Sequence, residues 1–311
     1  MIIREANPTD TQAIVALLKL SLGEGLLKKT GVVWDFKHNQ NPFGNSEVLL
    51  AFENEKLIGV RAFMQWRWQL GDKTWIAYRA VDTATHPEHQ GKGIFKKLTL
   101  KALEIVGLKS DAFIFNTPND QSRPGYLKMG WKIVDAIPIA IIPTAFYLLP
   151  NIFAKRISAD NRVDEHRLDE LCKKHNLILS KKSVIFTPKS AAYLKWRFEN
   201  NPMQDYIVIS TEDWYVALYV KKHKFFKELR VAEVISCNGN EKTIRNAIVK
   251  QARKNKCLLI TIADKNIFGG RIFGKFGPKL TFKPLTEDKD FINKALDISK
   301  WNYSLGDLEL F

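Results

Sequence analysis

Ten residues, His86 to Phe95 (HPEHQGKGIF), put two histidines, a glutamate, a glutamine, a lysine and two glycines in one short run. Three chemistries compete for such a set: a metal site, a phosphate cradle, or a turn that does nothing further. His86 and His89 stand three apart across a proline, with no cysteine or further histidine nearby, which is poor spacing for a zinc site. No metal is expected. A cradle needs main chain that can approach an anion closely, and Gly91 and Gly93 supply it because neither carries a β-carbon. If a helix starts at Gly93, its unsatisfied N–H groups and its dipole add partial positive charge there. Lys92, Lys96 and Lys97 surround the same point. The expectation is a pyrophosphate cradle.

The flanking sequence supports that order of elements. TWIAYRAVDTATHP reads as a strand ended by Pro87, and Gly93 to Val106 has helical spacing through Ile94, Leu98, Ala102, Leu103 and Val106. Asp82 lies on the strand just before the turn, where its carboxylate is either a general base facing the cleft or an ion-pair partner of Arg79 or Arg61. Further out, MIIREA is a strand and TDTQAIVALLKLSL a helix with Thr9 or Asp10 as N-cap. EVLLAFENEKLIGVRAFMQWRWQL is two strands joined at Glu53 to Lys56, DAFIFN a buried strand, DQSRPGYLKM a short helix, and GWKIVDAIPIAII a closing strand pair. The order β-α-α-β-β-β-α-β-α-β defines an α/β layered domain with a mixed sheet flanked by helices.

The rest of the chain repeats the theme. Residues 150 to 200 are expected to bridge, with Leu168, Leu171 and Cys172 on one helical face. From 205, strands DYIVIS, WYVALYV and ELRVAEVIS precede helix EKTIRNAIVKQARKN, strand CLLITIAD, helix NIFGGRIFGKF and strand PKLTFKPL. A degenerate second copy of the first fold follows from that order. The expected domains are 1–142, a connecting region 143–204, and 205–311.

Bulk properties narrow the partners. With 48 Lys and Arg against 33 Asp and Glu, the net charge of +15 favours an anionic ligand. The lysine pairs are scattered rather than massed, so no nucleic-acid partner is expected. Three cysteines without CxxC spacing, and an N-terminus without an apolar leader, suggest a reduced, cytoplasmic setting. The apolar run Ile137 to Leu149 is interrupted by Pro138 and Pro143 and falls short of the ~20 residues of a spanning helix. A buried strand and connector is the expectation there, with no transmembrane segment.

AVDTATHPEHQGKGIFKKLTLKAL resembles the cofactor motif of the GNAT superfamily of N-acetyltransferases, Gln/Arg-x-x-Gly-x-Gly/Ala, through Gln90 and Gly93. Phe95 replaces the final small residue. NDQSRPGYLKMGW resembles the superfamily's Asn-x-x-Ala-x-x-x-Tyr-x-x-x-Gly-Phe block, with Asn119, Ser122, Tyr126, Gly130 and Trp131 in register. The resemblance covers residues 1 to about 142. It implies acetyl-CoA as acyl donor, bound by Gln90, Gly91, Lys92, Gly93, Ile94 and Phe95, with Asn119 and Ser122 bordering it. It also implies that Tyr126 protonates the departing thiolate. A phenol near sulfur suits that role, since a thiolate of pKa ~8.5 is basic enough to take the proton; the alternative is a core aromatic against Trp131. A strand N–H among Thr83, Ala84 and Thr85 would polarise the carbonyl.

AAYLKWRFENNPMQDYIV and WNYSLGDLELF resemble the distal half of longer bacterial GNAT-like proteins, some linked to surface-polysaccharide biosynthesis. This half lacks the glycine turn, offering only Gly239 before its helix, so a second CoA site is not expected. Trp196, Arg197, Tyr303 and Asp307 are the candidates for the acceptor cleft, or Trp196 and Arg197 anchor the two halves together. The expected reaction is acetyl transfer to a primary amine of a small or nucleotide-sugar acceptor. The alternatives are a Fem-type aminoacyl transferase or a non-catalytic CoA-binding module.

Overall fold

Period-2 patterning in the first third of the chain builds a sheet around one long hairpin. The computed structural model describes residues 1–24, 28–108, 111–147, 163–237, 239–270 and 273–308. Strand β1 (Ile2–Glu5) leads to helices α1 (Thr11–Leu22) and α2 (Gly31–His38), then to β2 (Glu47–Glu53), β3 (Lys56–Leu70) and β4 (Lys73–Thr85). β2 and β3 meet at Asn54 and Glu55, both with positive φ (48° and 64°), the conformation a tight two-residue hairpin demands. Asp10 takes the N-cap position of α1 without a side-chain capping bond; the capping box belongs to the 3₁₀ turn Pro8–Asp10 before it, where Asn7 Oδ1 accepts from Thr9 N (2.9 Å) and Asp10 Oδ2 accepts from Asn7 N (2.8 Å).

Helix α3 (Ile94–Gly107) follows β4, then β5 (Ala112–Asn116), α4 (Arg123–Lys128), β6 (Lys132–Ala136) and β7 (Ile139–Pro143). The second half contains α5 (Glu165–Ser180), β8 (Ile185–Phe186), α6 (Ala191–Leu194) and a π-helical turn Lys195–Glu199. It continues through β9 (Ile207–Ser210), β10 (Trp214–Lys222), β11 (Lys227–Ser236), α7 (Glu241–Lys254) and β12 (Leu259–Ile262). It ends with β13 (Phe273–Gly274), β14 (Lys279–Pro284), α8 (Lys289–Ala295), β15 (Trp301–Asn302) and α9 (Leu305–Leu308). The helix expected over NIFGGRIFGKF does not form among its described residues: Gly269 and Gly270 both take positive φ (69° and 68°), and residues 265–270 form turns.

The closing strand pair of the first half is not a pair. β6 and β7 lie in different sheets. The first sheet runs β1-β2-β3-β4-β5-β14-β6, with β14 from the far end of the chain inserted antiparallel between β5 and β6. The second runs β13-β7-β12-β11-β10-β9, with β7 paired antiparallel to both β12 and β13. Each half thus donates a strand to the other's sheet. Of the apolar run 137–149, the proline-bounded β7 and a following 3₁₀ turn at Thr144–Tyr147 are described; residues 148 and 149 lie outside the described residues. Among the described residues no helix is long and apolar enough to cross a membrane.

The even-numbered residues of β3, Met64, Trp66 and Trp68, face one apolar core with α1, α2 and the second half. Trp68 meets Trp301 edge-on at 4.8 Å, and Trp75 stacks on Phe291 at 4.0 Å. The opposite face, with Phe63, Tyr78 and Ala80, packs under α3 and α4 against Ile94, Leu98, Tyr126 and Trp131. Gly59 is required for that contact, because a Cβ there would meet Ile94 Cγ2 at 2.7 Å.

Candidate active site

The parallel strands β4 and β5 part company at the centre of the first sheet. Their last paired residues are Arg79 and Phe115, yet β4 runs on to Thr85, so its final six residues, Ala80 to Thr85, line an opening. A β-bulge accompanies the split. Asp82 and Thr83 together oppose the single residue Arg61, and Asp82 takes a positive φ of 41°. Ligands in α/β sheets bind at such openings beyond the carboxyl ends of the strands.

Immediately past β4, the chain makes a 3₁₀ turn at Pro87–His89, capped by His86 accepting from Glu88 N at 3.3 Å. Gln90 folds back toward the Thr85 carbonyl (3.5 Å). Gly91 and Gly93 take φ of 76° and 73°, and a Cβ at either would meet nothing within 4 Å. Glycine is therefore needed for the backbone turn, and the space above it is open. Helix α3 starts at Ile94 and its first bond runs from Lys97 N to Gly93 O (3.0 Å), so the N–H groups of Ile94, Phe95 and Lys96 have no intrahelical acceptor. Lys92, Lys96 and Lys97 are exposed around this end. The turn fits a pyrophosphate group by main-chain donors and charge.

His86, Glu88 and His89 do come together, contrary to what their spacing suggested: their ligand atoms lie within 4.8 Å of one another. In this arrangement Glu88 pairs with Lys56 at 3.2 Å and His89 with Glu53 at 3.2 Å.

Phe95, the departure from the small residue of the motif, turns its ring away from the turn and into α4. A Cβ on Gly125 would sit 3.1 Å from that ring, and the ring meets Tyr126 edge-on at 5.5 Å. Asn119 Oδ1 accepts from Ser122 N (2.9 Å) and Oγ (2.8 Å), fixing the entry to α4. Tyr126 is buried between Phe95 and Trp131, and its hydroxyl accepts from Arg61 Nη1 at 2.8 Å. Arg61 Nη1 also donates to Thr83 Oγ1 at 2.5 Å, so the bulge and the tyrosine share one guanidinium.

Asp82 has neither of its expected partners. Its Oδ2 accepts from Lys37 Nζ and lies 2.9 Å from His38 Nε2, both on α2. Burial opposes the charge, but Lys37 and the bond from His38 together hold the carboxyl well below the usual carboxylate range. Burial lowers the His38 pKa as well, and a neutral ring donating from Nε2 can accept from Ser46 Oγ through Nδ1 (2.8 Å). A carboxylate so well satisfied is a weak proton acceptor.

The four second-half candidates do not gather around this opening as cleft-lining side chains. Trp196 is buried, stacks on Phe36 at 5.2 Å and donates to the Phe36 carbonyl at 2.9 Å. Arg197 is buried and donates to Gly306 O (3.2 Å) and Tyr206 Oη (3.0 Å). The π-helical turn sends the two side chains to different neighbours: Trp196 to Phe36 on α2 of the first half, Arg197 to Gly306 and Tyr206 of the second half. Tyr303 donates to the Pro138 carbonyl at 2.6 Å. Asp307 is buried, with Lys189 Nζ at 2.8 Å, Tyr193 Oη at 3.1 Å and Ser304 N at 2.9 Å.

Tyr303 and Asp307 line a separate polar cavity with His175, Lys189, Glu233 and Asp264. It lies where β11 and β12 part, after their last pair Val231–Ile262, beside an extra residue Ala232 in the β10–β11 ladder. The second half therefore repeats the bulge and the split of the first, and fills the split with its own side chains. What does reach the first opening is main chain: Arg79 donates to the carbonyls of Asp307 (2.9 Å) and Leu308, and Thr117 Oγ1 to Leu308 O (3.4 Å). Arg61, Lys37 and His38 were missed as site residues. Arg61 alone carried a signal, a charge inside the apolar run LIGVRAF.

The split sheet, the glycine turn and the helix at its mouth define a GNAT-type acyltransferase. Residues 2–134 match the family described as an acetyltransferase (GNAT) domain. A probable N-acyltransferase from Enterococcus faecalis has a similar fold at TM-score 0.69 and 11% identity, over 92% of this chain and 72% of that one. A GCN5-related N-acetyltransferase from Anabaena variabilis gives 0.63 and 12%, over 92% and 73%. N-myristoyltransferase from Saccharomyces cerevisiae, solved with myristoyl-CoA, gives 0.55 and 12%, over 90% and 82%. A comparison with the curated proteins by sequence gives no match.

Proposed function

We propose that the protein moves an acyl group, acetyl in the first instance, from acyl-CoA to the primary amine of a small or nucleotide-linked acceptor such as an amino sugar. The observation that carries this reading is the parting of β4 and β5 after Arg79–Phe115, with the Gly91–Gly93 turn at one end and Tyr126 beneath. The thioester supplies an activated acyl carbon and a sulfur leaving group. Main-chain N–H groups from Gly91 to Phe95, with Gln90 and Lys92, would take the pyrophosphate. The end of β4 that pairs with β3 alone, Thr83 to Thr85, would align the acyl carbonyl, bordered by Asn119 and Ser122. Tyr126 is the general acid for the leaving sulfur. Asp82 is assigned to holding Lys37 and His38, and a water chain takes the surplus proton of the amine.

Residues 205–311 act as the acceptor-side unit, through the carbonyls of residues 307 and 308 at Arg79 and Thr117 rather than through Trp196 or Arg197. A Fem-type aminoacyl transferase would have no use for the glycine turn, and a non-catalytic CoA module none for Tyr126. The test is thiol release from acetyl-CoA against amines, amino sugars and nucleotide amino sugars, with longer acyl-CoAs in parallel. Tight CoA binding with no thiol release on any acceptor would favour the non-catalytic reading instead.

A further inference from the structure

Arg61 is fully buried, on the face of β3 that packs under α3 and α4. Its guanidinium can only donate. Nη1 serves Thr83 Oγ1 and Tyr126 Oη, while Nε and Nη2 have no acceptor among the described residues. Aromatic faces surround it, with ring centroids of Phe63, Tyr126 and Phe95 at 4.7, 5.3 and 5.6 Å from the guanidinium carbon. Among the described residues no carboxylate forms an ion pair with it. A buried cation without a counter-charge is unfavourable, and an apolar residue of similar volume would be better for folding alone. Cost of that kind is expected where a charge is used.

We propose that Arg61 is the positioning residue for proton transfer from Tyr126, an inference that rests on Tyr126 being the general acid. Because the guanidinium donates, the tyrosine oxygen must accept on that side, and the phenol's own hydrogen is directed away from Arg61. The unbalanced positive charge then faces the oxygen on which negative charge appears. In the step itself the amine lone pair forms the C–N bond, and the C–S bond breaks with its electron pair going to sulfur. The Tyr126 proton passes to that sulfur, giving free thiol and a phenolate opposite Arg61. The surplus proton on nitrogen leaves to solvent and the phenolate recovers one from solvent, so charge and protons balance over the turnover.

The experiment is a double-mutant cycle on the full chain, reading thiol release from acetyl-CoA with the best amine of the panel and, without acceptor, with water. Arg61→Met should lower kcat by about 10²-fold with the acetyl-CoA KM within roughly threefold, and Arg61→Lys should restore part of the loss. Combining Arg61→Met with Tyr126→Phe should be no slower than Tyr126→Phe by more than about twofold, because Arg61 acts through that hydroxyl. Effects that multiply, or an Arg61→Met enzyme within about threefold of wild type while Tyr126→Phe is slow, would overturn the assignment and leave Tyr126 standing. A fully active Tyr126→Phe would instead remove the general acid, and this inference with it. If Arg61→Met does not fold, Arg61→Lys carries the same cycle, with an intermediate loss that must vanish in the Tyr126→Phe background.

Discussion

Arg79, the last residue of β4 to pair with β5, donates its Nη1 proton to the carbonyl of Asp307, 2.9 Å away and more than two hundred residues along the chain. One buried guanidinium thus ties the mouth of the first opening to the helix whose carboxylate anchors the second. Arg79→Met should destabilise the protein by about 2–3 kcal/mol, since charge-assisted bonds to two carbonyls are lost. It should also raise the KM for the acceptor more than that for acetyl-CoA. Denaturant unfolding and steady-state kinetics on the same variant check both; a loss confined to stability would separate Arg79 from the acceptor side.

Exchange of β7 and β14 makes the halves mutually dependent. Without residues 139–143 the second sheet loses the strand between β12 and β13; without 279–284 the first loses the one between β5 and β6. Calorimetry of the full chain should show a single cooperative transition. Fragments cut at residue 150 should fail to fold separately and should regain structure when mixed. Two independent transitions, or a stable isolated fragment, would count against this view.

How much of this was readable beforehand depends on the kind of signal. Alternation along β2, β3 and β4, the glycine turn and the spacing of α3 are local patterns, and they survive into the structure. Which sheet a strand joins is not local. KLTFKP looks equally suitable beside β5 or beside β12, because period 2 specifies a face and carries no address. NIFGGRIFGKF has helical apolar spacing, yet two consecutive glycines with positive φ override it. Trp196 and Arg197 look the same in sequence whether they line a cleft or fill a core, and only their bonds to Phe36 and Gly306 decide. Asp82 was visible, but its partners Lys37 and His38 lie on a separate helix that no spacing connects to it.

Gly93→Glu tests the cradle. The position has φ of 73° and open space around a Cβ, so the variant should fold with a penalty of about 1 kcal/mol from backbone strain. Its carboxylate would occupy the region where the pyrophosphate belongs. Calorimetric titration should show CoA affinity reduced by at least about tenfold, or roughly 1.4 kcal/mol. Unchanged affinity in a folded variant would move the donor site elsewhere.

Tyr126→Phe removes one oxygen and keeps the ring between Phe95 and Trp131. It also takes an acceptor from Arg61, so stability should fall by about 1–2 kcal/mol rather than stay constant. Turnover should fall by about 10²–10⁴-fold with acetyl-CoA affinity nearly unchanged. Near-full turnover, with chemistry shown to be rate-limiting, would make Tyr126 a core aromatic only.

His175 carries the clearest pH prediction. It lines the second-half cavity, donates from Nδ1 to the Ser236 carbonyl at 3.1 Å, and is held down to about 4, first by burial and further by the charges of Lys189 and Lys182. The bond to the Ser236 carbonyl opposes burial more than either lysine assists it, and Asp307 adds a smaller pull the same way as Ser236. A carbonyl can only accept, so Nδ1 bears the proton in the neutral ring. Because the folded pKa lies below the unfolded value of ~6.5, the unfolded chain binds more protons between those two values. Stability is therefore intact above pH ~6.5 and drains as pH falls toward 4, by at most about 3 kcal/mol and less for a partly exposed ring. Glu233 in the same cavity is pushed up to about 7, chiefly by burial, and contributes with the opposite sign, so the wild-type profile alone is a mixture. His175→Gln keeps a donor for Ser236 and removes the titration. The stability of the variant relative to wild type should rise by about 2–3 kcal/mol between pH 7 and pH 4, read from denaturant midpoints at each pH. A difference independent of pH would mean that His175 is protonated in the folded protein as readily as in the unfolded chain.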